Sequence, residues 1–166
     1  MRKLIYFCLL IGLTLNLKAQ KNDLIPNMYS FKLLVDGIND SLKADYLARA
    51  LEKQNLVLFA SFSQISDYGY IIVSDKSQIS NVASYINLTL NNYKLLEYEE
   101  LPLTQNLFLE IYSLRSNNAN NICKNLPKYI QLGPKNELSW QLYDLAKSIW
   151  IEKCKQEDNS SKDLSN

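Results

Sequence analysis

Histidine is absent from this chain of 166 residues. That absence removes the imidazole metal ligand and the side chain most often used as a general base near neutral pH. Thiols are scarce as well: the three cysteines are Cys8, Cys123 and Cys154. Two isolated thiols without an imidazole supply only half of a four-ligand zinc set. One long apolar run occurs, Leu4 to Leu17, and it falls short of the roughly 18 to 20 residues that a membrane-spanning helix needs. No later run approaches that length. A dominant charge is lacking too, the formal net charge being +1. A chain so close to neutrality is a poor electrostatic partner for nucleic acid or an anionic membrane.

What is present begins with Arg2 and Lys3 ahead of the apolar run, which ends at Lys18-Ala19-Gln20. A basic start, a short apolar core and a small residue at its end predict a secretory signal peptide over residues 1–19, cleaved after Ala19. Cys8 lies inside the apolar core and leaves with it. Cleavage removes Arg2, Lys3 and Lys18 but no acid, so 15 basic side chains face 17 acidic ones and the mature charge is −2. The expected location is the periplasm or the medium outside the cell, with no stable membrane span after cleavage. In an oxidising compartment the remaining pair, Cys123 and Cys154, is a disulfide candidate.

Residues 28–100 carry the densest pattern in the chain. Phe31, Leu33 and Val35 alternate with Lys32, Leu34 and Asp36, the period of a half-buried strand. Gly37 breaks that strand, and Asn39, Asp40 and Ser41 are helix-capping residues. Leu42, Tyr46, Leu47, Ala50 and Leu51 then recur at helical spacing. Leu56 to Ile65 reads as a second strand, Ser66-Asp67 as a turn and Tyr70 to Val73 as a third strand. Asp75 and Ser77 are candidate caps for a second helix with Ile79, Val82, Ala83, Ile86 and Leu90 on one side. Tyr93 to Glu99 closes the unit as a strand. Two strand–helix–strand crossovers of one hand place both helices on one face of a four-stranded antiparallel sheet, an α+β fold of ferredoxin-like type.

Residues 101–155 read as a helical C-terminal extension. Pro102 ends the last strand, and Thr104 caps a short helix carrying Leu107, Phe108, Ile111, Tyr112 and Leu114. Ser116 to Asn121 is a polar, turn-forming linker. Pro127 to Gly133 suits an extended connector, and Pro134 the first turn of a helix running to about Lys155. Leu138, Leu142, Leu145 and Ile149 form its stripe, flanked by Tyr143, Ala146 and Trp150, a face that packs on the core or meets a partner. Residues 156–166 lack apolar periodicity and are expected to be disordered. A Cys123–Cys154 bond requires residues 124–133 to run back along this helix. Ten extended residues reach about 33–36 Å, just enough for a helix of about 30 Å.

The segment Val35-Asp36-Gly37-Ile38-Asn39-Asp40-Ser41-Leu42-Lys43 resembles the loop of heavy-metal-associated domains, the domains of copper chaperones and metal-pumping ATPases. Gly37-Ile38 stands where that family has Gly-Met, and Asn92-Tyr93 stands where it has Gly-Tyr before the last strand. The resemblance covers about Tyr29 to Glu99. It implies a ferredoxin-like fold, and Asp40 and Lys43 occupy the two cysteine positions of the family's metal loop. Soft Cu(I) is held there by thiolates, and a lysine ammonium has no lone pair to give. The expectation is therefore a module whose metal motif is lost, with no cofactor. A metallochaperone-like role through a non-cysteine site, with Asp36 and Asp40 offering oxygen to a hard cation, is the weaker alternative beside a cap and a solvated loop.

The strand and helix order is also similar to that of secreted SPOR domains, which bind peptidoglycan on an exposed sheet face. On that resemblance Tyr68, Tyr70, Tyr93 and Tyr98 are the candidate stacking aromatics, although the family's Gln and Gly-Ser/Ala-Phe strand motif is missing. The competing explanation of these tyrosines is β-propensity and packing. RNA-binding domains share the topology, but their basic aromatic strand motif is absent. Acylphosphatases need an arginine in the loop after the first strand, and Asp36 to Ser41 has none. Glu97, Glu99 and Glu100 read as a solvated strand edge. No residue set suggests an enzyme. The function expected is a secreted, noncatalytic interaction module with a protein or cell-envelope partner and no nucleic acid. A SPOR-like peptidoglycan binder is the alternative.

Overall fold

The computed structural model of the chain describes residues 24–54, 57–63, 67–115 and 122–160, the side chains of 155–160 excepted. The expected signal peptide, Ser66 of the expected turn, the Ser116–Asn121 linker and residues 161–166 lie outside the described residues.

The strands are β1 (Tyr29–Asp36), β2 (Val57–Phe62), β3 (Tyr68–Val73) and β4 (Lys94–Leu101), and the helices are α1 (Ser41–Glu52), α2 (Gln78–Thr89), α3 (Gln105–Arg115) and α4 (Asn136–Ser160). The fold is α+β. The strands form one sheet in the order β2-β3-β1-β4, with each neighbouring pair antiparallel. The alternation read in β1 decides the faces. Phe31, Leu33 and Val35 sit in a core cluster with Val57, Ala60 and Phe62 of β2, Ile71 and Val73 of β3, and Leu95 of β4. Leu47 and Leu51 of α1 and Val82 and Ile86 of α2 close the same cluster, so both helices cover this first face.

Side-chain parity sends the other half of each strand to the second face. There Phe59, Tyr70 and Ile72 pack with Phe108, Ile111 and Tyr112 of α3 and with Leu142, Ala146 and Ile149 of α4. The Tyr112 ring stacks on Phe59 at 5.3 Å between centroids. The wide apolar side of α4 is thus spent on the core. Its centre lies at Ser139, Leu142, Ala146 and Ile149, which are at most 2% exposed. Leu138 and Leu145 of the expected stripe are only partly buried.

Several boundaries differ from the sequence reading, each for a local reason. In α1 the core side is Ala44, Leu47, Ala48, Ala50 and Leu51, while Leu42 and Tyr46 stand 81% and 60% exposed. Small alanines let this stripe approach the sheet closely, which the larger pair cannot do. The second strand is described over Val57–Phe62, and Leu56, Gln64 and Ile65 of its expected span lie outside the described residues. Tyr93 belongs to the turn before β4, where its N–H donates to the Leu90 carbonyl at 2.9 Å. Asp75, not Ser77, makes the side-chain bond at the start of α2, accepting from the Ser77 N–H at 2.9 Å. Helix α4 starts after Pro134, because Leu132 to Lys135 closes as a turn with Gly133 at φ 57°. It also runs through Ser160, past the end of its apolar periodicity, since no proline or glycine interrupts it there.

The connector before α4 runs antiparallel to that helix. At one end the Trp150 Nε1–H donates to the Ile122 carbonyl at 3.1 Å. At the other, the Leu132 N–H donates to Ser139 Oγ at 3.0 Å, and that hydroxyl donates to the Lys135 carbonyl at 2.8 Å. Cys123 and Cys154 are disulfide-bonded, with a Cα–Cα distance of 5.1 Å. Among the described residues no helix is long and apolar enough to cross a membrane.

Candidate functional site: the open half of the sheet

The two C-terminal helices cover the second face only over β2 and β3. Over Lys32 to Leu34 of β1 and Glu97 to Glu99 of β4 the described residues leave a groove of about 220 Å³ lined by Lys32, Leu34, Tyr68, Glu97, Tyr98 and Glu99. Register brings these residues together: Lys32 pairs with Tyr70 and Glu99, and Leu34 pairs with Tyr68 and Glu97. A bulge between Leu34 and Val35 adds Leu96 to β4 and restores the inward register at Leu95. The Lys32 Nζ lies 5.0 Å from the centroid of the Tyr68 ring, and Tyr68 meets Tyr70 edge to face at 5.8 Å. Burial pushes the Tyr70 phenol up, with Glu110 and then Tyr68 adding to the rise. The groove therefore offers one ring face, one ammonium and two carboxylates on a rigid sheet. Such a set can stack on an apolar ring face and accept hydrogen bonds from hydroxyl, amide or ammonium groups.

Of the four tyrosines singled out in the sequence, Tyr68 and Tyr98 line this groove and Tyr70 and Tyr93 do not. Tyr70 is 7% exposed and turned toward α3 and α4. Tyr93 is on the opposite side, where it stacks on Tyr46 and its hydroxyl donates to the Lys43 carbonyl at 3.0 Å. Tyr98 is a cross-strand partner of Leu33, so its ring lies toward the first face, edge-on to Phe31 at 6.3 Å. Lys32 and Leu34, half of an alternation whose other half marks the core, are the groove residues that sequence reading passed over. The signal was there in the polar half of β1, but only strand order shows that no described helix covers Lys32 and Leu34.

The loop positions that resemble a metal site have structural work. Asp40 is the N-cap of α1, its side chain accepting from the Lys43 N–H at 2.8 Å. Ile38 is buried in the core. Gly37 has φ 100°, and a Cβ there would overlap the Asn92 carbonyl. The Gly37 and Asn92-Tyr93 segments thus meet in space as backbone against backbone. Among the described residues no group of three or more His, Cys, Asp or Glu side chains could hold a metal ion.

A second polar cluster lies at the opposite edge of the sheet, beside β2. Glu52, 5% exposed, accepts from the Ala60 N–H at 3.1 Å and pairs with the Arg115 guanidinium, which also donates to the Ala60 carbonyl at 3.2 Å. Burial raises the Glu52 carboxyl above its ordinary range, against the opposing pull of Arg115 and the Ala60 bond. Lys135 donates to the carbonyls of Gln54 and Val57 at 3.2 and 3.0 Å, and burial lowers its ammonium. No protein family, curated protein or solved structure matches the chain.

Proposed function

We propose that this protein is a secreted, noncatalytic binding module on a ferredoxin-like core, and that its binding surface is the open half of the sheet. The observation that carries this reading is the partial cover of the second face. The extension packs mainly over β2 and β3 and leaves Lys32, Leu34, Tyr68, Glu97, Tyr98 and Glu99 lining a groove. The strand order β2-β3-β1-β4, with both early helices on the first face, supports the ferredoxin-like assignment. The disulfide supports an oxidising compartment. Asp40 as a helix cap supports a metal motif that has been lost.

The partner is a component of the cell envelope. Glycan is the first one to test, because a tyrosine face flanked by carboxylates suits the apolar face and hydroxyl groups of a sugar ring. Purified protein is expected to co-sediment with peptidoglycan, and Tyr68→Ala to abolish it, while Leu88→Ala, 80% exposed on α2, leaves it unchanged. Absence of sedimentation, or equal loss in both variants, removes the glycan reading. Sedimentation that survives Tyr68→Ala places the binding surface elsewhere.

A further inference from the structure

Asp45 and Arg49 of α1, Arg115 at the end of α3, and Tyr129, Ile130, Gln131 and Gly133 of the connector enclose a cleft of about 520 Å³. It is on a different side of the molecule from the sheet groove and shares none of its residues. The Arg115 side chain is 9% exposed. Its Nη1 is committed to Glu52 and to the Ala60 carbonyl. Its Nη2 is buried and has no hydrogen-bond acceptor among the described residues. Leaving such a donor unused in the interior is costly, and here the donor belongs to a residue that lines the cleft.

The cleft's own chemistry says what would satisfy it. The Asp45 carboxylate accepts from Arg49 Nε at 2.6 Å and stands 3.7 Å from Arg115 Nη2, too far for a hydrogen bond. One internal carboxylate is thus shared between two guanidinium groups and completes the bonding of only one. Asp45 and Arg49 are 47% and 53% exposed, so both can swing aside, whereas Arg115 is held. Planar guanidinium forks match carboxylates with two parallel hydrogen bonds. Beside the arginines, Tyr129 lines the cleft and meets Trp140 in a tilted ring contact at 4.4 Å, and Tyr143 meets both rings edge-on at 5.9 Å. Trp140 remains 54% exposed. An aromatic cluster next to a cleft into which Arg115 brings a donor with no acceptor among the described residues is a pairing that packing alone does not require.

We propose that this cleft binds a ligand with a free carboxylate next to an apolar or aromatic group. The carboxylate takes the Arg115 Nη2 donor together with Arg49 and displaces Asp45. The adjoining group lies against Tyr129 and Trp140. A small aromatic acid and the free C-terminus of a peptide share this chemistry.

Calorimetric titration of the purified, disulfide-bonded protein with N-acetylphenylalanine, its C-terminal amide and a decapeptide ending in phenylalanine tests the proposal. Arg115 is left intact, because its loss threatens the fold. Binding of the acid and not the amide is expected. Arg49→Gln should weaken it and Asp45→Asn tighten it, each roughly tenfold, with Trp140→Ala weakening it too. Circular dichroism should be unchanged in all three variants. Equal affinity for decapeptide and small acid identifies the small acid as sufficient, and tighter decapeptide binding identifies a peptide C-terminus. Equal response to acid and amide overturns the proposal, as does an Asp45→Asn variant that binds no tighter than its parent. Displacement of the acid by sulfate at matching concentration overturns the carboxylate class.

Discussion

Glu52 is the residue whose setting costs the most and fixes the most. An acid at the end of α1 would ordinarily face water. Here it accepts the Ala60 N–H of the edge strand and the Arg115 guanidinium of α3, so one carboxylate ties a helix, the sheet and the extension together. Breaking a buried pair from one side leaves the other charge stranded. Arg115→Met is expected to cost about 3–5 kcal/mol in urea unfolding, and the double variant with Glu52→Leu less than the two single costs combined. Because the folded-state pKa of Glu52 is raised from 4.5, the folded protein holds that proton more tightly than the unfolded chain. Its contribution is fully present below the unfolded value and is lost as pH rises through the folded value. Urea midpoints measured across that window should fall less with pH in Glu52→Gln than in the parent. A wild-type-like slope in the variant would show that other carboxylates set the dependence.

At the scale of elements, α1 shows how the metal-like loop earns its sequence. Helices leave their first backbone N–H groups without partners, and Asp40 takes the one at Lys43. Asp40→Ala is expected to lose about 1 kcal/mol of stability and Asp40→Asn only a small part of that, as read by urea unfolding with an unchanged slope. A cost in Asp40→Asn as large as in Asp40→Ala would mean that its charge, not the cap, is what the loop needs. The same helix shows why periodicity misplaced a face. Leu42 and Tyr46 have helical spacing as good as that of Ala44, Leu47, Ala48 and Leu51, and the two sets are neighbours on the cylinder, while Ala50 of the expected stripe is in the core. The second set contains the small side chains that let α1 lie close to the sheet.

At the scale of the molecule, the extension works as a clasp. The Cys123–Cys154 bond closes a loop with a sequence separation of 31, locking the connector against α4 at the end where Trp150 meets Ile122. Loop-closure entropy assigns such a bond about 3–4 kcal/mol. Unfolding in urea with and without reductant should differ by that amount, with the paired Cys123→Ser/Cys154→Ser variant matching the reduced parent. Identical midpoints would show that α4 is held by Leu142, Ala146 and Ile149 alone.

The sequence by itself determined the alternation of β1, the order of helices and strands, a capping group among Asn39, Asp40 and Ser41, the cap at Thr104, and the cysteine pairing. These are short-range matters. Period, capping and chain reach depend on residues near one another, and with two cysteines left after the expected cleavage only one intramolecular pairing exists. The two clefts depend on what the fold brings together. Lys32, Tyr68 and Glu97 meet because β3 and β4 flank β1, and they line a groove because α3 and α4 pack mainly over β2 and β3. Asp45, Arg115 and Tyr129 come from three separate stretches, and no local pattern links them. Whether Tyr70 or Tyr68 faces solvent is likewise decided by which part of the second face the extension covers. Identical residue types with the same parity on the same strand differ in burial, Tyr68 half-buried and Tyr70 buried, and only tertiary packing distinguishes them.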